Sequence, residues 1–267
     1  MGSNHFELDH RYADYPAITG IDEAGRGCLV GPVVVASVTW NPQAVSEESW
    51  FPKMADSKVL KESVREELYP AIVACANRVR IAVVSPILID YMNILRASLH
   101  GFEMTAPVQN PMEPLLIDGN QKPPTLKWAA TVVKGDSKVS AISAAGIVAK
   151  VTRDELMTGL DQLAPGYGFC VHKGYATKAH RQAIERLGPC NFHRKSFRPV
   201  SDWDREGPAD LELLDGFTDN MAELHGHWHF FREQYHRFSL KASRKAVEKF
   251  RPLGILPSLK DNLEIFR

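Results

Sequence analysis

Asp22 and Glu23 are adjacent carboxylates at the end of a short apolar run, and a glycine-rich turn carrying Arg26 follows them. The β-branched residues at 18–21 and the glycines after the acids predict a buried strand that ends in a tight turn. Neighbouring carboxylates repel each other unless a positive charge lies between them. Mg²⁺ binds to one or two carboxylates together with substrate phosphate oxygens. Taken alone, the pair fits a metal site and the cap of a helix after a strand equally well.

The turn after these acids has the composition of a loop that can contact phosphate. Gly25 and Gly27 have no Cβ, so backbone N–H groups there can approach a ligand closely. Arg26, between them, carries a planar cation suited to phosphate.

Two further apolar runs also stop at an aspartate. Asp118 follows residues 115–117 and precedes a glycine, and Asp136 lies between two lysines after residues 131–133. For a single Asp-Gly pair, a β-turn is the ordinary explanation. Three strand ends can instead bring all four acids to one edge of a sheet, where binding sites in α/β folds commonly form. The repeated pattern favours a metal site.

Several blocks of the chain, in order from about residue 18 to residue 200, resemble the ribonuclease HII family, the type 2 ribonucleases H. The matching segments are GIDEAGRG from Gly20, GPVV from Gly31, DSKVL from Asp56, IDGN from Ile117, KGDSK from Lys134, IVAKVTRD from Ile147, YGF from Tyr167, HKGYATKAH from His172, LGP from Leu187 and HRKSF from His193. One departure is Gly146, where serine is usual in the family. We expect it to change local packing and to leave the catalytic acids intact.

The resemblance implies that Asp22, Glu23, Asp118 and Asp136 form a catalytic, metal-binding set. It implies endonucleolytic cleavage of the RNA strand of RNA–DNA hybrids. It also implies incision 5′ to single ribonucleotides in duplex DNA, the first step of ribonucleotide excision repair, leaving 3′-hydroxyl and 5′-phosphate ends. Four acids suit a two-metal mechanism with Mg²⁺ or Mn²⁺, in which the cations stabilise the attacking and leaving oxygens. Asp22 and Asp118 are the expected shared ligands.

The resemblance assigns detection of the 2′-hydroxyl, which distinguishes RNA from DNA, to the turn at residues 25–27 and to Tyr175. A tyrosine ring can stack beneath a sugar while its hydroxyl holds a polar partner. Lys58 is either a phosphate contact or a solvated loop lysine. Between residues 172 and 198 there are seven Lys or Arg and one acid, which predicts a basic face for a duplex backbone.

The pattern of apolar residues predicts strands near residues 18–22, 32–40, 79–85, 115–118 and 129–134, and helices near residues 61–76, 89–105, 140–160 and 177–187. The small residues of the third helix predict close packing on the sheet. The resemblance implies an α/β, ribonuclease H-like fold, a five-stranded mixed sheet flanked by helices. We predict a catalytic domain over residues 1–200 and a small helical C-terminal cap over residues 201–267.

Four histidines of the predicted cap lie close in sequence: His225, His227, His229 and His236. The first and third are four residues apart, a spacing that can bind a metal on one helix face. Aromatic and arginine neighbours favour a structural or nucleic-acid-facing role instead.

The last residues, Leu263, Ile265 and Phe266, are similar to the bacterial sliding-clamp-binding peptide, although Asn262 stands where that peptide has glutamine. Two alternatives are open. The segment either inserts apolar side chains into a clamp pocket or folds back on the cap.

Composition limits the remaining functions. Lysine and arginine equal aspartate and glutamate in number, so nucleic-acid binding must come from local charge asymmetry. No apolar run is long enough to cross a bilayer. Scattered cysteines and the absence of a signal-peptide pattern predict a cytoplasmic protein with reduced thiols, and family analogy predicts a monomer.

Two rival functions are also considered. Ribonuclease HIII has the same acids and an additional N-terminal domain, but only 17 residues precede Ile18 here. A noncatalytic hybrid-binding protein is the other rival, and the presence of all four acids argues against it.

Overall fold

A mixed sheet forms the centre of the computed structural model, which describes residues 6–56, 60–203 and 263–266. Its strands are β1 (Ile18–Ala24), β2 (Val33–Trp40), β3 (Arg78–Val84), β4 (Leu115–Asp118), β5 (Ala130–Val132) and β6 (Leu263–Phe266), in the spatial order β5-β4-β1-β2-β3-β6. The strands β1, β2 and β3 are antiparallel neighbours, whereas β4 is parallel to β1 and to β5. The five predicted strands are confirmed as the ribonuclease H-like sheet.

The short strand β6 adds a sixth member that the sequence pattern does not predict. It runs parallel to β3, with Val79 opposite Leu263 and Ala82 opposite Phe266. The backbone of the C-terminal segment therefore lies at the edge of the sheet. The predicted cap itself lies almost entirely outside the described residues.

Eight helices are described: α1 (Pro42–Ser46), α2 (Glu62–Cys75), α3 (Pro86–Met92), α4 (Ile94–Thr105), α5 (Ser140–Leu163), α6 (Phe169–His172), α7 (Lys178–Leu187) and α8 (Val200–Trp203). The prediction of one helix over residues 89–105 is wrong, because the chain turns at Asn93, where φ is +68°. The Asn93 side chain then accepts a hydrogen bond from the amide of Arg96 and caps α4. Among the described helices, none is long and apolar enough to span a membrane.

Helices cover both faces of the sheet. On one face α5 lies across β1 and β2, and its alanines at 141, 144, 145 and 149 are fully buried. A Cβ on Gly20 of β1 would lie 2.2 Å from the backbone carbon of Ala141, so the two elements are in backbone contact. On the other face Phe102 of α4 packs with Ile21 and Ile117. The predicted small-residue face of α5 is confirmed, and it places the start of α5 directly behind β1.

Candidate active site

Parallel pairing of β1 and β4 brings the first two groups of acids together. Ile21 is opposite Ile117 in the register, so Asp22 and Asp118 follow on adjacent strands at the same end of the sheet. The next strand, β5, pairs its Val132 with Asp118. The acids therefore collect at one end of the sheet, where β4 and β5 end in register at Asp118 and Val132. β1 carries Asp22 and Glu23 inside the strand and continues to Ala24, two residues beyond the predicted end, because it stays paired with β2.

A tight turn after β5 directs the fourth acid towards the others. Lys134 has a left-handed conformation with φ of +56°, and the 3₁₀ turn Gly135–Ser137 follows it. The amide of Gly135 donates to Asp118 Oδ1 over 2.6 Å. A Cβ on Gly135 would lie 2.6 Å from Ile142 Cδ1 and 3.2 Å from that Asp118 oxygen, so only glycine fits without a shift. This turn also ends β5 at Val132, two residues before the predicted end.

The carboxyl groups interact strongly enough to change one another's pKa. Burial and then the negative charges of Glu23, Asp118 and Asp136 raise the pKa of Asp22 well above its usual range. Burial also raises the pKa of Glu23, and the nearby Arg26, 3.2 Å from its Oε1, opposes this. Burial and the charge of Asp136 raise the pKa of Asp118, opposed by its hydrogen bond from the Gly135 amide. The structure thus brings the four predicted acids into one electrostatic group.

The donor set fits a hard divalent cation. Four carboxylates repel one another, and Arg26 is paired with only one of them, so a cation bound between them would relieve the repulsion. In the part of the chain that is described, no three acidic, histidine or cysteine side chains already converge on a single point. Asp22 Oδ1 accepts the Glu23 amide over 2.7 Å. The charge and the oxygen donors of the four carboxylates fit a metal site. The orientation of the side chains does not exclude such a site.

Gly146 lies against the Asp22 side chain. A Cβ at this position would be 2.4 Å from Asp22 Oδ2. At that distance a side chain at position 146 would require the Asp22 carboxylate to shift. The predicted effect of Gly146 on local packing stays a prediction, and the structure places this residue beside Asp22.

Arg194 holds the glycine-rich turn from inside the protein. It has no exposed surface, and its guanidinium donates to the carbonyls of Gly25 at 2.8 Å, Arg26 at 2.9 Å and Gly31 at 3.0 Å. Backbone carbonyl groups are the same in every residue, so the sequence does not reveal these hydrogen bonds. Arg194 is one of the seven basic residues of the predicted basic face, and that part of the prediction is wrong because this residue is buried.

Arg153 is a second buried arginine with backbone partners only. Its guanidinium donates to the carbonyls of Val30 and Pro32, both at 3.0 Å, and of Lys173 at 2.7 Å. A Cβ on Gly25, where φ is +98°, would lie 2.0 Å from Arg153 Nε. Sequence reasoning missed Arg153, although a charged residue on the otherwise buried face of α5 is a signal that could have found it.

Tyr175 lies in the turn that Arg153 connects to this loop. Gly174 precedes it with φ of +84°, and the Gly174 carbonyl accepts the amide of Leu29 over 2.9 Å. The Tyr175 side chain is 44% exposed, and Lys150 Nζ lies 5.5 Å from its ring centre. Partial burial and the neighbouring Cys28 raise the pKa of the Tyr175 hydroxyl. The two predicted recognition segments are therefore in contact, with the tyrosine ring available to a ligand.

The remaining predicted residues divide into two groups. Five basic residues of the 172–198 segment are exposed: Lys178, Arg181, Arg186, Lys195 and Arg198. Lys58, the four histidines at 225, 227, 229 and 236, and Asn262 lie outside the described residues.

Comparison with known proteins identifies the family. The family model for ribonuclease HII matches residues 19–200. A ribonuclease HII of Francisella philomiragia is 46% identical over 184 residues, covering 68% of this chain and 97% of the relative. One from Sinorhizobium medicae is 47% identical over 190 residues, covering 68% of this chain and 82% of the relative.

Solved structures share the fold. The ribonuclease H2 of Pyrococcus horikoshii superposes with a TM-score of 0.56 at 24% identity, covering 72% of this chain and all of the other. The ribonuclease HII of Archaeoglobus fulgidus, solved in a complex with PCNA, gives a TM-score of 0.54 at 27% identity, covering 68% of this chain and 95% of the other. The chain belongs to the ribonuclease HII family and is an endoribonuclease.

Proposed function

We propose that this chain cleaves the RNA strand of RNA–DNA hybrids and incises duplex DNA on the 5′ side of a single ribonucleotide, leaving 3′-hydroxyl and 5′-phosphate ends. The observation that carries the proposal is the contact between two parts of one surface. An acidic group at the ends of β1 and β4 adjoins the glycine-rich turn, and Arg153 and Leu29 link that turn to Tyr175.

Asp22, Glu23, Asp118 and Asp136 would hold two Mg²⁺ or Mn²⁺ ions. When bound, such ions supply a nucleophilic hydroxide at neutral pH and stabilise charge on the leaving oxygen. Arg26 restrains Glu23 by the 3.2 Å ion pair, and the Gly135 amide restrains Asp118. These contacts keep two of the four carboxylates in place before substrate arrives.

The glycine-rich turn is arranged to read a hydroxyl group with its backbone. In a trans peptide the C=O and the following N–H point in opposite directions. Arg194 binds the carbonyls of Gly25 and Arg26, so the N–H groups of Arg26 and Gly27 point away from it, on residues that are exposed. A Cβ on Gly27 would meet nothing within 4 Å, so there is open space for a sugar. Tyr175 would pack beneath that sugar.

The test is cleavage of labelled duplex DNA containing one ribonucleotide, with an all-DNA duplex and a long hybrid beside it, in Mg²⁺ and in Mn²⁺. We expect incision 5′ to the ribonucleotide and no cleavage of the all-DNA duplex. Asp22→Asn should remove the activity, and a phosphatase and ligase assay should identify the product ends. Absence of cleavage on both ribonucleotide-containing substrates would leave a binding protein and contradict the proposal.

Tyr175→Ala separates recognition from stability. It removes an exposed ring, so we expect the melting temperature to change little while ribonucleotide cleavage falls strongly. Parallel losses in melting and kinetics would mean that Tyr175 is part of the fold and not of the recognition surface.

We further propose that the C-terminal residues Leu263, Ile265 and Phe266 bind a sliding clamp. Support comes from their similarity to the clamp-binding peptide and from the Archaeoglobus relative solved with PCNA. The β6 backbone is extended and is the outermost strand, paired with β3 on one side only, and an extended segment is the conformation in which a peptide adds to a partner's edge. Deleting residues 262–267 should abolish clamp affinity and preserve cleavage, and unchanged affinity would end this proposal.

The proposed setting is a monomer acting in the cytoplasm. The four cysteines, Cys28, Cys75, Cys170 and Cys190, are free thiols, as expected in a reducing compartment. Sedimentation of the purified chain and fractionation of cells test these two points.

A further inference from the structure

Three histidines cluster behind the turn that carries Tyr175. The His172 ring stacks on the His180 ring with centroids 4.3 Å apart, and the His180 and His193 centroids are 5.3 Å apart. His180 and His193 are buried, and Phe169 packs against both. None of these rings belongs to the acidic group at residues 22, 23, 118 and 136.

The hydrogen bonds of His180 determine its protonation. Its Nδ1 lies 2.9 Å from the carbonyl oxygen of Tyr175, which can only accept, so Nδ1 carries the hydrogen. In a neutral ring Nε2 is then an acceptor. His193 Nε2 lies 3.1 Å from it and must donate. The orientation of one ring therefore dictates the tautomer of the next.

His193 completes the same series. With its hydrogen on Nε2, its Nδ1 accepts the backbone N–H of Cys190 over 2.9 Å. The opposite tautomer would place two bare nitrogens face to face at 3.1 Å. A relay of three hydrogen bonds therefore runs from Cys190 through His193 and His180 to the Tyr175 carbonyl. Burial lowers the pKa of both rings to about 4, so both are neutral at neutral pH.

The relay connects Tyr175 to the loop over residues 25–32, which includes the glycine-rich turn. The backbone of His193 forms a bridge with Val30, and the amide of Arg194 donates to Leu29 at 2.8 Å. The same loop receives the guanidinium groups of Arg153 and Arg194. At its other end the relay restrains the turn that carries Tyr175, whose own amide donates to the His172 carbonyl over 2.9 Å.

We propose that His180 and His193 are positioning residues, which hold the Tyr175 backbone so that its exposed ring meets the sugar of the ribonucleotide. This inference rests on the proposed function. The histidines contact neither substrate nor metal in this scheme and act only through Tyr175. The titratable groups that face the pair are His172, Cys190 and Tyr167, together with each other.

His180→Phe keeps an aromatic ring and removes both relay bonds. The Tyr175 carbonyl also accepts the amide of Thr177 over 2.8 Å, so His180→Phe removes the side-chain hydrogen bond to this turn and leaves its backbone bonds. We expect KM for the single-ribonucleotide duplex to rise about tenfold while kcat changes less. His100→Phe is the matched control, because His100 lies on α4 with a side chain 43% exposed. The control should behave as wild type.

Two conservative variants identify which bond matters. His180→Asn places an amide N–H near the Nδ1 position and can keep the bond to the Tyr175 carbonyl. His180→Gln reaches the Nε2 position and keeps the contact with His193 instead. We expect the asparagine variant to recover most of the affinity and the glutamine variant to recover little. Equal recovery, or better recovery with glutamine, would overturn the proposal. This comparison also stands if His180→Phe fails to fold.

A double-mutant cycle separates positioning from general stability. In a Tyr175→Ala background, His180→Phe should cause no further rise in KM, because its only route to the substrate is gone. An additional rise of the same size would show an effect that does not pass through Tyr175 and would refute the relay.

Failure of the proposed function has a different signature. If the wild-type chain cleaves none of the substrates, that proposal fails. The relay is then judged by fluorescence anisotropy with ribonucleotide-containing and all-DNA duplexes. A preference for the ribonucleotide duplex that disappears in His180→Phe supports the relay. A preference that survives in His180→Phe, or no preference in the wild type, overturns it.

Discussion

Replacing Arg194 by methionine should loosen the glycine-rich turn while filling most of the same space. The substitution removes three charge-assisted hydrogen bonds to the carbonyls of Gly25, Arg26 and Gly31, at 2.8, 2.9 and 3.0 Å. Because hydrogen bonds to charged groups contribute about 1.5–3 kcal/mol each, the loss is roughly 4.5–9 kcal/mol.

Burial of the guanidinium opposes part of this loss. Burial and then the charge of Arg153 lower the pKa of Arg194 from its usual value to about 9. At about 1.36 kcal/mol per pKa unit, the cost of keeping this charge buried is roughly 5 kcal/mol. The difference between these two terms runs from roughly zero to about 4 kcal/mol, and the expected destabilisation is its midpoint, about 2 kcal/mol.

Urea unfolding followed by circular dichroism measures this difference, and Arg198→Met is the matched control because the Arg198 side chain is 76% exposed. The control should change the free energy of unfolding by less than about 0.5 kcal/mol. Arg194→Met should also reduce the preference for ribonucleotide-containing duplex, since the Arg26 and Gly27 amides lose their orientation. The reasoning is refuted if Arg194→Met unfolds at the control's urea concentration, or if it is destabilised and keeps its full ribonucleotide preference.

Three further outcomes are expected. In metal-free buffer at neutral pH, Asp22→Asn should raise the melting temperature, because burial and three neighbouring carboxylates raise the pKa of Asp22 and make its charge costly. Added Mg²⁺ should reduce this rise in melting temperature. A melting temperature below that of the wild type would contradict the prediction. His180 and His193 have pKa values of about 4 in the folded protein, below the usual 6.5, so their contribution to stability is full above about pH 6.5 and is lost as pH falls towards 4. Urea titrations of wild type and His193→Gln should show a shallower loss in the variant, and identical pH profiles would count against the neutral pair. Gly20→Ala should lower the free energy of unfolding by about 3 kcal/mol, since its Cβ would lie 2.2 Å from the α5 backbone. Gly27→Ala is the control, because its Cβ would meet nothing within 4 Å. Equal melting temperatures of the two variants would refute the close packing of α5 on β1.

The acids and the strands that carry them could be predicted because each signal is local. Asp22, Asp118 and Asp136 each come after an apolar run, and the last two also adjoin a glycine. Such runs form strands through their own pattern of burial. The split at Asn93 could not be predicted from the same pattern, because apolar spacing continues across it while a single backbone angle breaks the helix.

By itself the sequence determined the family, the four acids and the five central strands, since these depend on residue types at short spacing. Only the tertiary structure decided how the recognition surface is held. Arg153 and Arg194 bind six backbone carbonyls, and His180 binds a seventh, and a carbonyl oxygen is the same for every residue. Contacts of this kind depend on where the chain passes and not on which side chain it carries. They become visible only when distant segments have been brought together.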